Sequence, residues 1–219
     1  MSEIKDILAL YNRASAEDRK LAFATVISTE GPSYRSAGAR SLVIEDGTFG
    51  GGLSAGCLEG DIACRLDGNT VPFIVEYDLS EEDDIRGFPF GCGGTVQVFV
   101  EPLPNSGALI AVQWLSELNE PAVLLTVVKT EEATGFSTNV IKVGARFGIS
   151  ESGASLFSDG TCDDLLDVRR RRQVLHVLCN RHRRAQVQIR RQPDGRVPAV
   201  RHPLNVVLVR HPRDSPRLR

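Results

Sequence analysis

An α/β fold with a mixed sheet and flanking helices is predicted for this 219-residue chain by three observations. Helically spaced and strand-length apolar segments alternate, an Asp-Gly turn joins two strands, and the order of segments starts again after Asn105. The length suits one large domain or two small ones, and the proportions of apolar and charged residues are those of a globular protein. Ile4 to Leu10 and the residues after them have helical spacing. "LAFATVIST" is a nearly continuous β-branched run of strand length, which reads as a buried strand. "ARSLVIEDGTFGGG" reads as a strand, an Asp-Gly turn and a short return strand. "VPFIVEYDL" and "TVQVFVEPL" are two further strands, and the acidic then Gly/Pro-rich "SEEDDIRGFPF" between them is a loop.

In the second half "ALIAVQWLSELNE" is helical, "AVLLTVVKT" a strand, and "NVIKVGARFGIS" a strand and turn. "AFATVIST" aligns with "VLLTVVKT", and "TFG" falls opposite "RFG", which reads either as a weak internal duplication with the cysteine loops kept only in the first half or as two similar helix-strand-strand units of independent origin.

Charge divides the chain near residue 168. Through Val168 there are 11 Lys+Arg against 26 Asp+Glu, a net −15. From Arg169 there are 15 Arg against only Asp194 and Asp214, a net +13, so the whole chain carries −2. That last segment holds all four histidines and five prolines, and it has no aromatic residue, Lys, Glu or Met. Such a composition supports little core. Two domains are expected on this basis: 1–168, and an arginine-rich irregular tail over 169–219 that is disordered or read out of frame. A basic arm for nucleic acid is the weaker reading of the tail, because Arg comes without Lys or interleaved aromatics.

No basic n-region precedes an apolar stretch, and no run approaches the roughly 18 apolar residues of a membrane span, so a cytoplasmic location without membrane contact is expected. Cys57, Cys64, Cys92, Cys162 and Cys179 are odd in number and irregularly spaced, which favours reduced thiols and gives no zinc pattern.

Two cysteines sit among glycines: "GGGLSAGCLEG" from Gly50 to Gly60 frames Cys57, and "GFPFGCGG" from Gly87 to Gly94 frames Cys92. Successive N–H groups in such loops form an anion-binding concavity and favour a thiolate. Leu58, Ile62 and Leu66 place a helix just after Cys57, with Glu59 in its first turn and Cys64 two turns along as a small core residue. The glycines equally suit tight turns and close packing around buried cysteines. "STEGPSYRSAGAR" adds a polar loop with Arg35 and Arg40 after a buried strand, where an α/β sheet binds ligands. Arg40 reads either as a phosphate contact or as a solvated residue at a strand start. No histidine lies near the cysteines to act as a base, so no catalytic residue is assigned.

"AFATVISTEGPSYRSAGARSLVIEDG", then "GLSAGCLEG" and "GCGGTVQVFVEPL", together resemble the amino-terminal domain of the XdhC/CoxI family, clearly over Ile4 to Leu103. Ala55 stands where that family usually has glycine. The resemblance implies a maturation factor, not an enzyme, that binds the molybdenum cofactor (molybdopterin) transiently and assists its sulfuration with a cysteine desulfurase. It then delivers the cofactor to a molybdenum hydroxylase apoenzyme of the xanthine dehydrogenase type, and a homodimer is a further expectation. Carried onto this sequence, the motif residues are Gly56, Cys57, Leu58 and Glu59 in the first loop and Gly91, Cys92, Gly93 and Gly94 in the second, with Arg40 as a phosphate contact. Longer members carry a carboxy-terminal Rossmann-like domain. Here "PLNVVLV" resembles its first strand without a glycine fingerprint after it, so the terminus reads as truncated or frameshifted. The alternatives are a cysteine-dependent sulfur carrier or oxidoreductase, and a nonfunctional remnant.

Overall fold

The computed structural model describes residues 3–79, 93–104, 107–120, 122–129, 143–150, 156–158, 174–179, 184–190 and 205–211. The chain divides into two compact units, Met1–Ser116 and Glu117–Arg219.

In the first unit, α1 (Glu3–Ala14) buries Ile4, Ile7, Leu10 and Ala14, the helical stripe expected from their spacing. Glu3 and Asp6 in its first turn and Arg13 in its last complement the helix dipole. Strand β1 (Leu21–Glu30) is buried over its first six residues because it lies at the centre of a five-stranded sheet. Its neighbours are β2 (Arg40–Ile44) and β5 (Thr95–Pro102), and β3 (Phe49–Gly51) and β4 (Phe73–Asp78) form the outer strands, in the order β3-β2-β1-β5-β4. The Asp-Gly turn forms as expected. Gly47 takes φ 85°, Ile44 N–H donates to Thr48 O at 2.8 Å, and the Asp46 carboxylate accepts from Thr48 N–H at 2.8 Å.

Helix α2 (Cys57–Arg65) lays Leu58, Ile62 and Ala63 on one face of this sheet, with Leu53 and Leu66 beside them. The strands contribute Ala22, Ala24, Val26, Val43, Val75, Val96, Val98 and Val100 to the same core. Small residues on β1 let the helix approach closely. Helix α1 covers β2 and β3 on the other face, where a Cβ added at Gly50 would lie 3.2 Å from the Leu10 side chain. Helix α3 (Ala108–Glu117) follows β5 and buries Ala108, Ala111, Val112 and Leu115. Cys64 is exposed on α2, not in the core as its spacing from Cys57 had implied.

In the second unit, β6 (Ala122–Lys129), β7 (Arg146–Ser150), β8 (Leu156–Ser158), β9 (Val174–Cys179), β10 (Arg184–Arg190) and β11 (Asn205–His211) form a sheet in the order β8-β7-β6-β11-β10-β9. The α/β class with flanking helices stands. The expected mixed sheet does not, because every described pair of strands is antiparallel. Strand β11, from the arginine-rich segment, pairs along the whole of β6.

The two sheets repeat one another in register. Thr25 lies opposite Arg40, and Thr126 lies opposite Arg146. Val26 N–H donates to Ala39 O at 2.9 Å, and Val26 O accepts from Gly38 N–H at 2.7 Å; Val127, Ala145 and Gly144 make the same two bonds at 2.9 and 2.7 Å. Gly38 and Gly144 both have positive φ, 97° and 90°. Register shifts by one residue between Val26 and Ser28 against β5, and again between Val127 and Lys129 against β11. The duplication is therefore built on "GAR" matching "GAR". The alignment of "TFG" with "RFG" is corrected: Arg146 takes the place of Arg40, not of Thr48.

Candidate functional site

The antiparallel order brings three segments to one end of the first sheet. There β1 ends at Glu30, β5 begins at its partner Thr95, and β4 ends at Asp78, which pairs with Thr95. Strand β2 begins and β3 ends at that same end, so residues 31–39, 52–56 and 93–94 all leave from it.

The first loop is organised by Ser54 and Glu59. The Glu59 carboxylate is fully buried and accepts from Leu53 N–H at 2.6 Å, Ser54 N–H at 3.1 Å and Ser54 Oγ at 2.6 Å. Ser54 Oγ in turn accepts from Gly56 N–H at 3.2 Å and Leu58 N–H at 3.1 Å. This is an expanded capping box. A hydroxyl satisfies an amide of the helix's first turn, and a glutamate three residues past the N-cap reaches back to the entering chain. Gly56, the N-cap, has φ 111°, a conformation that an L side chain rarely adopts. Cys57 follows as the first helical residue and is half-buried. The amides of Leu53 and Ser54 are thus already held by a carboxylate of the chain itself, and the loop fixes where Cys57 enters the helix. Each donor left unpaired there would cost about 1–3 kcal/mol. Ser54 was not singled out in the sequence, although a serine five residues before a glutamate at a helix start carried the signal.

In the second motif, Gly91 and Cys92 lie outside the described residues. Gly93 N–H donates to Leu79 O at 3.0 Å, and Gly94 O accepts from Leu79 N–H at 2.8 Å. A Cβ on Gly94 would meet Pro32 O at 2.3 Å and Glu30 O at 2.4 Å. These two glycines therefore seat the chain at Gly31 and Pro32, backbone against backbone. Arg40 opens β2 and is buried, not solvated. Arg35 is exposed and forms an ion pair with Glu3 of α1, which ties the 31–39 loop to that helix.

The helix that carries Cys57 is pinned one turn further on. Tyr77 OH donates to Asp61 Oδ2 at 2.7 Å, and Arg65 pairs with the same carboxylate. Burial first, and then the Asp61 carboxylate, push the Tyr77 hydroxyl well above its ordinary value, so it stays protonated as a donor. Asp61 in turn raises Arg65. Among the described residues no group of three or more His, Cys, Asp or Glu has the arrangement of a metal site, and no helix is long and apolar enough to cross a membrane.

A cysteine thus opens α2 behind a left-handed glycine, in a loop held by Ser54 and Glu59. Residues 14–67 match the XdhC and CoxI family. That stretch contains Arg40, Gly56, Cys57 and Glu59, while the second cysteine motif lies beyond it. A probable xanthine dehydrogenase subunit of Bacillus subtilis (strain 168) is 37% identical over 93 residues, 40% of this chain and 28% of that protein. A crystal structure of a xanthine dehydrogenase from Bacillus halodurans is similar with a TM-score of 0.51 and 30% identity, over 72% of this chain and 45% of that one. This chain spans less than half the length of either relative.

Proposed function

We propose that this XdhC/CoxI-type chain acts in the maturation of a xanthine dehydrogenase-type molybdenum hydroxylase, as a protein that binds the molybdenum cofactor and presents it for sulfuration and insertion. The observation that carries this reading is the Cys57 loop. Half-buried Cys57 at the first residue of α2, in a loop locked by a buried glutamate, offers a soft sulfur donor at a fixed place. The residues fit a molybdenum or sulfur centre through Cys57 more directly than they fit a phosphate, because Glu59 already takes the amides of Leu53 and Ser54. When bound, the cofactor would supply the molybdenum to which sulfur is added. The chain's own part is to hold and orient it. Xanthine dehydrogenase in the names of both relatives supports the hydroxylase as the partner served, and a cysteine desulfurase is the sulfur source this reading requires.

The test is retention of the cofactor. Purified full-length chain is mixed with molybdenum cofactor released from a donor enzyme and passed over gel filtration, and the pterin that stays with the protein is quantified. Wild type should retain it, and Cys57→Ser should retain less by roughly tenfold or more, the equivalent of about 1.4 kcal/mol, with an unchanged fold. Cys92→Ser tests the second motif in the same way. Equal retention by wild type and Cys57→Ser overturns the role of Cys57. A sulfur gained on one defined cysteine after incubation with desulfurase and cysteine, without pterin retention, would make the chain a sulfur carrier instead.

A further inference from the structure

The residues on either side of Cys57 are held by one atom. Gly56 N–H donates to Ser54 Oγ at 3.2 Å, and Leu58 N–H donates to the same oxygen at 3.1 Å. We infer that Ser54 and Glu59 form a single positioning unit for Cys57, in which neither side chain is a ligand of the cofactor. This deepens the proposed function and rests on its reading of Cys57 as the binding element.

The bonds of this unit all run in one direction. A hydroxyl has one proton to give and two lone pairs to accept with. The amides of Gly56 and Leu58 take both lone pairs of Ser54 Oγ, and its proton goes to Glu59 Oε2 at 2.6 Å. Ser54 thus has no bonding capacity left for a ligand. Glu59 Oε1 accepts from Leu53 N–H at 2.6 Å and from Ser54 N–H at 3.1 Å. Glu59 is 0% exposed, so a ligand would reach its carboxylate only by opening the loop.

The clamp sits where the helix cannot hold itself. Gly56 enters α2 at φ 111°, and its carbonyl accepts the bond from Gly60 N–H at 2.9 Å. The amide of Leu58 lies ahead of Gly60 in the first turn, where no helical carbonyl serves it. Ser54 Oγ replaces that carbonyl and holds the N-cap as well, so the backbone of Cys57 is fixed on both sides.

Glutamine cannot take the place of Glu59 in such a one-way network. Turned towards Leu53 and Ser54, its NH2 would face two N–H donors. Turned towards Ser54 Oγ, it would bring a third donor to an oxygen that already accepts two, and the hydroxyl proton would lose its acceptor.

The test uses the full chain, needs no cofactor, and compares Cys57 with Cys64, the exposed cysteine of the same helix. Alkylation of both by iodoacetamide is followed by peptide mass spectrometry. In Glu59→Gln and in Ser54→Ala the ratio of the Cys57 rate to the Cys64 rate should rise roughly fivefold or more, as lost hydrogen bonds release half-buried Cys57. Ser54→Thr keeps the hydroxyl and should restore a ratio near that of wild type. The double variant Ser54→Ala/Glu59→Gln should match the larger single effect, whereas effects that multiply would overturn the single unit. If Glu59→Gln fails to fold, Ser54→Ala and Ser54→Thr decide the matter. A wild-type ratio in Ser54→Ala would overturn the inference. So would loss of pterin retention in either single variant at an unchanged ratio, which would make that side chain a ligand. Failure of wild type to retain pterin would sink the proposed function and leave the alkylation result standing.

Discussion

Gly94 and Gly60 sit one in each cysteine motif, and the structure gives them opposite duties. The space for a Cβ on Gly94 is filled by the carbonyls of Glu30 and Pro32, backbone atoms that cannot move aside, whereas nothing lies within 4 Å of a Cβ on Gly60 in α2. Gly94→Ala should therefore lower stability by about 1–3 kcal/mol through overpacking. Gly60→Ala should raise it by roughly 0.5–1 kcal/mol, the helix-propensity difference between the two residues. Urea denaturation of the two variants decides this, and the same sign for both would refute it. At this scale some of the expected positions were legible in the sequence and others were not. Cys57, Gly56 and Glu59 are where a helix start required them, because the capping chemistry is local. Arg40 and Gly94 needed the partner strand and the facing loop to be placed, and no local pattern shows those.

Among the elements, the hairpin of β2 and β3 carries the clearest pH dependence. Thr48 N–H first, and the Arg19 guanidinium second, hold the Asp46 carboxyl down to about 2, below its ordinary 3.8. The native state thus binds that proton more weakly than the unfolded chain. The stabilisation it gives is present above about pH 4 and is lost as the pH falls through 2. The stability difference between wild type and Asp46→Asn should accordingly shrink between pH 5 and pH 2, as followed by urea midpoints; a difference independent of pH would exclude the mechanism. The Arg19–Asp46 pair is exposed, so added salt should weaken its part of the effect and leave the Thr48 bond in place. This hairpin was readable from "EDG" alone because an Asp-Gly turn is specified within four residues. The strands β1, β4, β5 and β6 were readable too, each as a compact run of β-branched or alternating residues, whereas "NVIKVGARFGIS", expected as a strand and then a turn, shows in its described part a turn and then β7. Their antiparallel pairing was not, since β1 meets β5 across some seventy residues of chain and no single segment records that contact.

For the molecule as a whole, the arginine-rich segment is the point on which composition and structure part. Its strands β9 and β10 include "VLHVLC" and "AQVQI", short valine-bearing runs that the surrounding arginines and prolines obscured, while "NVVLV" of β11 was legible as a strand. In the sheet β11 lies between β6 and β10, so it is an inner strand of the second unit. Ending the chain at Val168 should strip protection from amide exchange in β6 while β1 keeps its own. Hydrogen exchange of peptides from the two strands measures this directly. Equal protection of β6 in both chains would show that the second sheet does not depend on the segment.

The sequence by itself determined the described helices and the strands β1 to β6, the Asp-Gly turn, the place of Cys57 at a helix start and the likeness to one family. All of these are written in residues within a dozen positions of one another. Only the tertiary structure decided the antiparallel order, the repeated Thr–Arg register, the burial of Arg40 and the seating of Gly94 against Pro32. Those depend on which distant backbone a residue meets, and that is settled when strands far apart in the chain satisfy their hydrogen bonds in one sheet.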